Sequence, residues 1–253
     1  MTKIILSGAN GRMGQAISRL AQESESCKVV CGFDINTAQL AGYPVYDRYE
    51  NFAGEADVLI DFSNPANFEN IIAYATKNNI PCVICTTGLS KDQLALLAET
   101  AKKIPVFYSA NMSLGVNLII ELASRAAKLL EGSFDIEIIE KHHNQKLDAP
   151  SGTALAIADA ISESLENAPQ YVYDRHSVRK KREPNEIGIH AVRGGSIVGE
   201  HDVICAGNNE VITLSHSATS REVFAVGAIR AGIFLAGKPA GMYSMKDLVN
   251  EMA

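Results

Sequence analysis

Between Glu140 and Ala154 the chain reads Glu-Lys-His-His-Asn-Gln-Lys-Leu-Asp-Ala-Pro-Ser-Gly-Thr-Ala, placing two imidazoles, amines and carboxylates beside a helix entrance. Histidine is the side chain whose ordinary titration falls near neutrality, so His142 and His143 are candidates for proton exchange. Lys146 can deliver a proton when its ammonium is desolvated near other cations. Ser151 suits an N-cap, and Gly152 and Thr153 then offer backbone N–H groups and a hydroxyl to a carboxylate. One short segment can therefore bind an anion and supply protons, which is what chemistry on a small acidic substrate requires. Two rivals use the same residues. A zinc site would need more than adjacent histidines, which point differently, and the one carboxylate that follows them, Asp148. A phosphorylated ligand could also sit at the helix entrance. His176, His190, His201 and His216 stand alone in the sequence and read as structural histidines.

A second cluster lies near the N-terminus. Gly8-Ala9-Asn10-Gly11-Arg12-Met13-Gly14 falls between a short apolar run, Lys3 to Ser7, and a segment with helical spacing, Arg12 to Glu23. The pattern is G-x-x-G-x-x-G. It suits a tight turn, close approach of backbone to a pyrophosphate, and close packing of helix on strand. Asp34 follows 20 positions after Gly14, at the end of the second apolar run. An acid there hydrogen-bonds the ribose hydroxyls of NAD, while Arg12 could reach a 2′-phosphate near the same ribose. Ile35 adds no basic partner, so use of NADH and/or NADPH is expected, with NADH at least as good. Thr86-Thr87-Gly88 and Ser109-Ala110-Asn111-Met112 each follow a later apolar run. They fall at the same sheet edge and suit the nicotinamide end of a dinucleotide.

These groups must be positioned by elements that the pattern also predicts. Apolar runs at Val29 to Phe33, Asp57 to Asp61, Cys82 to Cys85 and Pro105 to Tyr108 alternate with amphipathic helices. One helix opens at Ser63-Asn64-Pro65, and another at the capping box Ser90-Lys91-Asp92-Gln93. Continuous apolar strands separated by helices imply a doubly wound, Rossmann-type parallel sheet of the α/β class. From about Asn111 the grammar changes. A helix through Leu118, Ile119, Leu122 and Ala126 precedes the alternating strand Phe134 to Ile138, and a helix spans about Gly152 to Leu165. Three more strands, Ile187 to Val192, Ser196 to Cys205 and Glu210 to His216, with a turn at Gly207-Asn208-Asn209, suggest an α+β domain. Its sheet is expected to be mixed and largely antiparallel, with one open face. Helical patterns at Arg221 to Ala236 and Ser244 to Met252 end the chain. The expected organisation is a dinucleotide-binding domain at 1–111, a substrate-binding and oligomerisation domain at 112–219, and C-terminal helices at 220–253 returning to the first domain.

Composition narrows the function class. The chain has 253 residues, 47% hydrophobic and 21% charged, with a formal charge of -6, which argues against a nucleic-acid partner. The one basic run, Arg179-Lys180-Lys181-Arg182, reads as a solvated loop beside Pro184 rather than a phosphate patch. No leader pattern and no apolar stretch of about 18 residues is present, so a cytoplasmic protein without a membrane partner is expected. Five cysteines without framework spacing fit reduced thiols, and Cys82-Val83-Ile84-Cys85 reads as buried strand rather than as a metal or redox motif. No metal is expected.

The run from Glu140 to Ala154 resembles the signature of the dihydrodipicolinate reductase (4-hydroxy-tetrahydrodipicolinate reductase) family. The resemblance extends through Gly8 to Gly14, Thr86-Thr87-Gly88, Ser109 to Met112, Gly115-Val116-Asn117 and Val198-Gly199-Glu200-His201. It implies NAD(P)H-dependent reduction of a cyclic hydroxy-diacid with loss of water, in diaminopimelate and lysine biosynthesis, by a homotetramer. His142 aligns with the family's proton donor/acceptor and Lys146 with its proton-donating lysine. His143, Gly152 and Thr153 fall on substrate-binding positions. Gly8, Ala9, Asn10, Gly11, Arg12, Met13, Asp34, Cys85, Thr86, Thr87, Ser109, Ala110, Asn111 and Met112 fall on dinucleotide-contacting positions. Cys85 stands where many members have glycine, and Met112 replaces an aromatic often found near the nicotinamide. Ile35, where some members have arginine, tells against strict NADPH use. Another two-domain dehydrogenase, such as an aspartate dehydrogenase, would not need the Lys-Asp-Ala-Pro-Ser-Gly-Thr entrance, and a non-turnover dinucleotide sensor would not need His142, His143 and Lys146.

Overall fold

A computed structural model describes residues 1–252; the last position of the expected C-terminal segment, 253, lies outside them. The chain forms two compact units, Met1–Leu114 together with the chain from Glu222 onward, and Gly115–Arg221. No helix among the described residues is long and apolar enough to cross a membrane.

The first unit alternates strand and helix: β1 (Thr2–Ser7), α1 (Arg12–Gln22), β2 (Cys27–Phe33), β3 (Val45–Tyr46), β4 (Val58–Asp61), α2 (Phe68–Lys77), β5 (Cys82–Ile84), α3 (Lys91–Ala101) and β6 (Pro105–Tyr108). The second unit takes most of α4 (Leu114–Leu130), then β7 (Asp135–His142), α5 (Gly152–Ser164), β8 (Gln170–Val172), β9 (Glu186–Arg193), β10 (Gly199–Ala206) and β11 (Val211–Ala218). The chain then rejoins the first unit through α6 (Glu222–Leu235), β12 (Gly241–Tyr243) and α7 (Met245–Met252).

In the first unit all strands pair in parallel, in the order β12-β6-β5-β4-β1-β2-β3. The order reverses at β1, the switch point outside which such sheets bind ligands. Alternate residues of β1 divide between two cores. Ile4 and Leu6 pack with Ile17 of α1 and with Ala225, Ala228 and Leu235 of α6. Ile5 packs with Phe68, Ile71 and Ala75 of α2 and Leu97 of α3. Strands covered on both faces have no polar side to show, which is why they read as unbroken apolar runs. Burying a side chain such as Phe68 or Leu97 contributes about 1.5–3 kcal/mol. The capping box at Ser90 and Gln93 is formed in full. At Asn64 the side chain accepts from the Ala66 amide at 2.9 Å, but the chain first makes a 3-10 turn over Pro65–Asn67, and the α-helix begins at Phe68. The strands β3 and β12 are too short to leave a periodic signal.

The second unit holds a mixed sheet in the order β11-β10-β7-β9-β8. The β10 strand pairs antiparallel with β11 and β7, whereas β9 pairs parallel with β7 and β8. The β10–β11 hairpin closes through the Gly207 amide on the Glu210 carbonyl at 2.9 Å. The parallel β7–β9 pair needs a long crossover, and α5 lies in it. One face of this sheet buries Ile136, Ile138, Ile187, Ile189 and Val203 against α4 and α5. The opposite face carries charge, with Lys141 Nζ 3.0 Å from Glu200 and 3.2 Å from Asp202.

The basic run at 179–182 is not simply solvated. Lys180 pairs with Glu186 at 2.7 Å, and Arg182 reaches Asp135 at 2.7 Å and Glu137 at 3.0 Å. Sequence spacing hid this because the partners lie on two strands. All five cysteines are buried and unpaired, and burial pushes the Cys82 thiol up to about 12.

Candidate active site

At the C-terminal edge of the first sheet, Gly8 leaves β1 with φ +77°, and a Cβ there would stand 2.7 Å from the Phe62 carbonyl oxygen. A Cβ on Gly14 would be 2.2 Å from the Gly8 oxygen, so this glycine lets α1 meet the loop backbone. Gly11 is the N-cap of α1, and no side chain caps that helix end. Its first-turn amides and partial positive charge face the loop, an arrangement that fits a dinucleotide pyrophosphate.

Asp34 accepts from the Asn10 amide at 2.9 Å and the Asn36 amide at 3.0 Å. Asn10 in turn donates its side-chain amide to the carbonyls of Asn36 and Ala38. Gly8, Gly11, Asp34 and Ile35 line one cavity of about 440 Å³, together with Phe33, Ser63 and Asn64. Ile35 is 99% exposed, and Arg12 is exposed on α1. The other expected cofactor positions divide by what they can offer. The side chains of Ala9, Cys85 and Met112 are buried in the core of the unit, so they can meet a ligand only through backbone. Thr86 is buried and donates its hydroxyl to Asp61, whose other oxygen accepts from the Ser63 amide at 3.0 Å. Ser109 and Asn111 lock their own loop, since Ser109 Oγ meets both the oxygen and the amide of Asn111. Thr87 and Ala110 lie in the same two loops, and Met13 is partly buried against the core.

Asp61 did not emerge from the sequence as a site residue. It is fully buried at the end of β4 and ties the 63 and 86 loops together. Burial raises its carboxyl pKa, opposed by hydrogen bonds from Ser63 and Thr86.

In the second unit the buried face of β7 runs Ile136, Ile138, Glu140, His142, apolar for two positions and then polar for two. Glu140 is 0% exposed. It takes two hydrogen bonds from Arg193, each 2.7 Å, one from the Ser151 amide at 2.9 Å, and one from His142 Nδ1 at 2.6 Å. Burial alone would raise its pKa, but the bonds from Arg193, His142 and Ser151 together hold it below the ordinary carboxylate range. Ser151 caps α5 through the Ala154 amide at 3.1 Å, and Ser151 Oγ lies 3.2 Å from His201 Nε2. Burial, with the neighbouring His142 and His216, pushes the His201 pKa down to about 4.

Lys146 forms a 2.9 Å ion pair with Asp148. The Lys146 ammonium, followed by weaker contributions including the Gly152 amide, holds the Asp148 carboxyl below its usual range. The Asp148 carboxylate joins the amine to the helix entrance. His143 Nε2 lies 3.4 Å from the Arg221 guanidinium. A Cβ at Gly152 would meet nothing within 4 Å, so the space at the α5 N-terminus is open, and Thr153 is part-buried beside it. No cluster of three potential metal ligands occurs among the described residues.

The fold therefore joins His142 to the α5 entrance through Glu140, and Lys146 to Gly152 through Asp148. Arg193 and His201 were missed by sequence reasoning. Both arrive by strand pairing, His142 facing Arg193 and Glu140 facing His201, and no local spacing announces that register.

Comparison with known proteins bears on both units. Residues 2–112 match the family description "Dihydrodipicolinate reductase, N-terminus" and residues 115–249 match "Dihydrodipicolinate reductase, C-terminus". A relative from Caldanaerobacter subterraneus subsp. tengcongensis, a 4-hydroxy-tetrahydrodipicolinate reductase, is 56% identical over 251 residues, covering 99% of each chain. The protein of the same name from Clostridium tetani is 49% identical over 250 residues, covering 99% of this chain and 98% of its own. Among solved structures, a dipicolinate-bound dihydrodipicolinate reductase from Paenisporosarcina sp. TG-14 superposes with a TM-score of 0.82 at 27% identity, covering 99% of both chains.

Proposed function

The chain belongs to the dihydrodipicolinate reductase family, and from that premise we propose how its residues divide the work. It is an NAD(P)H-dependent oxidoreductase that reduces 4-hydroxy-tetrahydrodipicolinate to tetrahydrodipicolinate with loss of water, a step of diaminopimelate and lysine biosynthesis. When bound, the dinucleotide supplies the hydride. The turn from Gly8 to Met13 and the α1 N-terminus hold its phosphates, Asp34 its ribose, and the Cys85–Thr87 and Ser109–Met112 loops its nicotinamide end. In the second unit, His143, Gly152 and Thr153 hold the substrate's carboxylates. His142 exchanges a proton with the substrate and Lys146 donates one.

The observation that carries this reading is the convergence on Glu140, which binds both the ring of His142 and the Ser151 amide at the open end of α5. A proton carrier and an anion site are thereby fixed to one buried group. The family resemblance further supports a homotetramer in the cytoplasm; light scattering on the purified protein should give a mass of four chains.

The direct test couples the protein to the synthase that makes its substrate and follows loss of nicotinamide absorbance. Turnover is expected with both cofactors, NADH at least matching NADPH in kcat/KM. Oxidation of neither would defeat the reading, and a preference for NADPH above about tenfold, some 1.4 kcal/mol, would defeat the cofactor assignment alone.

A further inference from the structure

Glu140 uses every acceptor position a carboxylate has. Oε2 accepts from His142 Nδ1 and Arg193 Nη1, and Oε1 from Arg193 Nη2 and the Ser151 amide. A carboxylate held by a two-pronged guanidinium in a buried site has no proton to give. The hydrogen in the 2.6 Å contact therefore belongs to His142 Nδ1. A neutral imidazole carries one N–H, which leaves Nε2 bare. That nitrogen points to Gly199, where a Cβ would stand 3.1 Å from it.

We propose that Glu140 is the positioning residue of this active site: clamped by Arg193, it fixes His142 as the Nδ1–H tautomer, so that Nε2 is the atom that exchanges the proton. This rests on the catalytic role proposed for His142. Beside His142 stand Glu140 on its own strand and His201 from β10, with ring centroids 5.3 Å apart, while Arg193 from β9 and Ser151 from the α5 entrance are joined to it through Glu140. His216 of β11 lies behind His201 at 6.3 Å. Near neutral pH His201 is uncharged, so the charges beside the ring are the Glu140 carboxylate and the Arg193 guanidinium paired with it.

Two measurements test this. Nitrogen NMR of the full-length wild-type protein, with the His142 signals assigned by their loss in His142→Gln, reads the tautomer of the neutral ring. A protonated Nδ1 with a bare Nε2 is expected, and the reverse pattern overturns the proposal. Glu140→Gln keeps the size and removes the charge. Its kcat should fall on the order of 10–100-fold with KM for both substrates within about threefold. Glu140→Asp, which keeps the charge, should recover part of that kcat. A folded Glu140→Gln protein with unchanged kcat, or with KM raised as far as kcat falls, overturns the proposal. If that variant does not fold, the wild-type tautomer decides. Full turnover by His142→Gln would defeat the underlying catalytic reading, whereas lost turnover together with the wrong tautomer would defeat the positioning role alone.

Discussion

At the scale of single residues, the side chains suited to chemistry are legible by type, and their partners are not. Lys146 stood out as an amine beside histidines, yet its ion pair with Asp148 follows only from the path of the loop. Asp148 is 58% exposed, so the pair is open to exchange with a bound anion, and the ammonium can turn to the substrate at little cost. Lys146→Ala should therefore lower kcat by about 10²–10⁴-fold, the usual cost of removing a proton donor, with NADH affinity changed less than about threefold. Steady-state kinetics and a cofactor titration check both parts. Full turnover would remove Lys146 from the mechanism. His201 shows the opposite failing: alone in the sequence it read as structural, and the fold places its ring beside His142 and its Nε2 on the N-cap serine.

At the scale of elements, helix caps and strand faces followed from local chemistry, while helix crossings and loop tethers did not. Gly227 lies within α6, where a Cβ would fall 1.7 Å from the Met112 carbonyl oxygen. No side chain fits, so Gly227→Ala must shift either α6 or the 109–112 loop. The expected result is a loss of roughly 1–3 kcal/mol in stability, seen as a lower Tm, together with weaker NADH binding. A variant with unchanged Tm and affinity would show that the crossing can relax freely. The 173–185 segment is tethered through Glu186, whose carboxyl is held down to about 2 by Lys180 and then Arg175, against the effect of burial. A depressed folded-state pKa means this tether stabilises above the ordinary carboxylate range, about 4.3, and is lost as pH falls toward 2. Circular dichroism across an acid titration should show Lys180→Ala losing structure at higher pH than wild type. Coincident curves would count against the tether.

At the scale of the whole molecule, the chain leaves its first unit at Leu114 and rejoins it at Glu222. That return is structural, because Ala225, Ala228, Ala231 and Leu235 are fully buried in the same core as Ile4, Leu6, Val58 and Ile60. In addition, β12 pairs with β6 at the sheet edge. A chain ending at Arg221 should fail to unfold cooperatively and fail to bind NADH, because one face of the sheet would lie open. Calorimetry and cofactor titration test it. Retained binding would mean that the remaining elements close that face unaided.

The sequence by itself determined the α/β class, the glycine turn, the caps at Ser90 and Ser151, and the family to which the reacting segment belongs. Each of these rests on residues within one turn, one strand or one loop, where periodicity and local hydrogen bonding act. Tertiary structure alone decided that Glu140 is clamped by Arg193, that Asp61 joins the 63 and 86 loops, and that Met112 and Cys85 give their side chains to the core. Those facts depend on which strands become neighbours and in what register. Register is fixed by the burial of whole faces at once, so no short spacing in the chain encodes it.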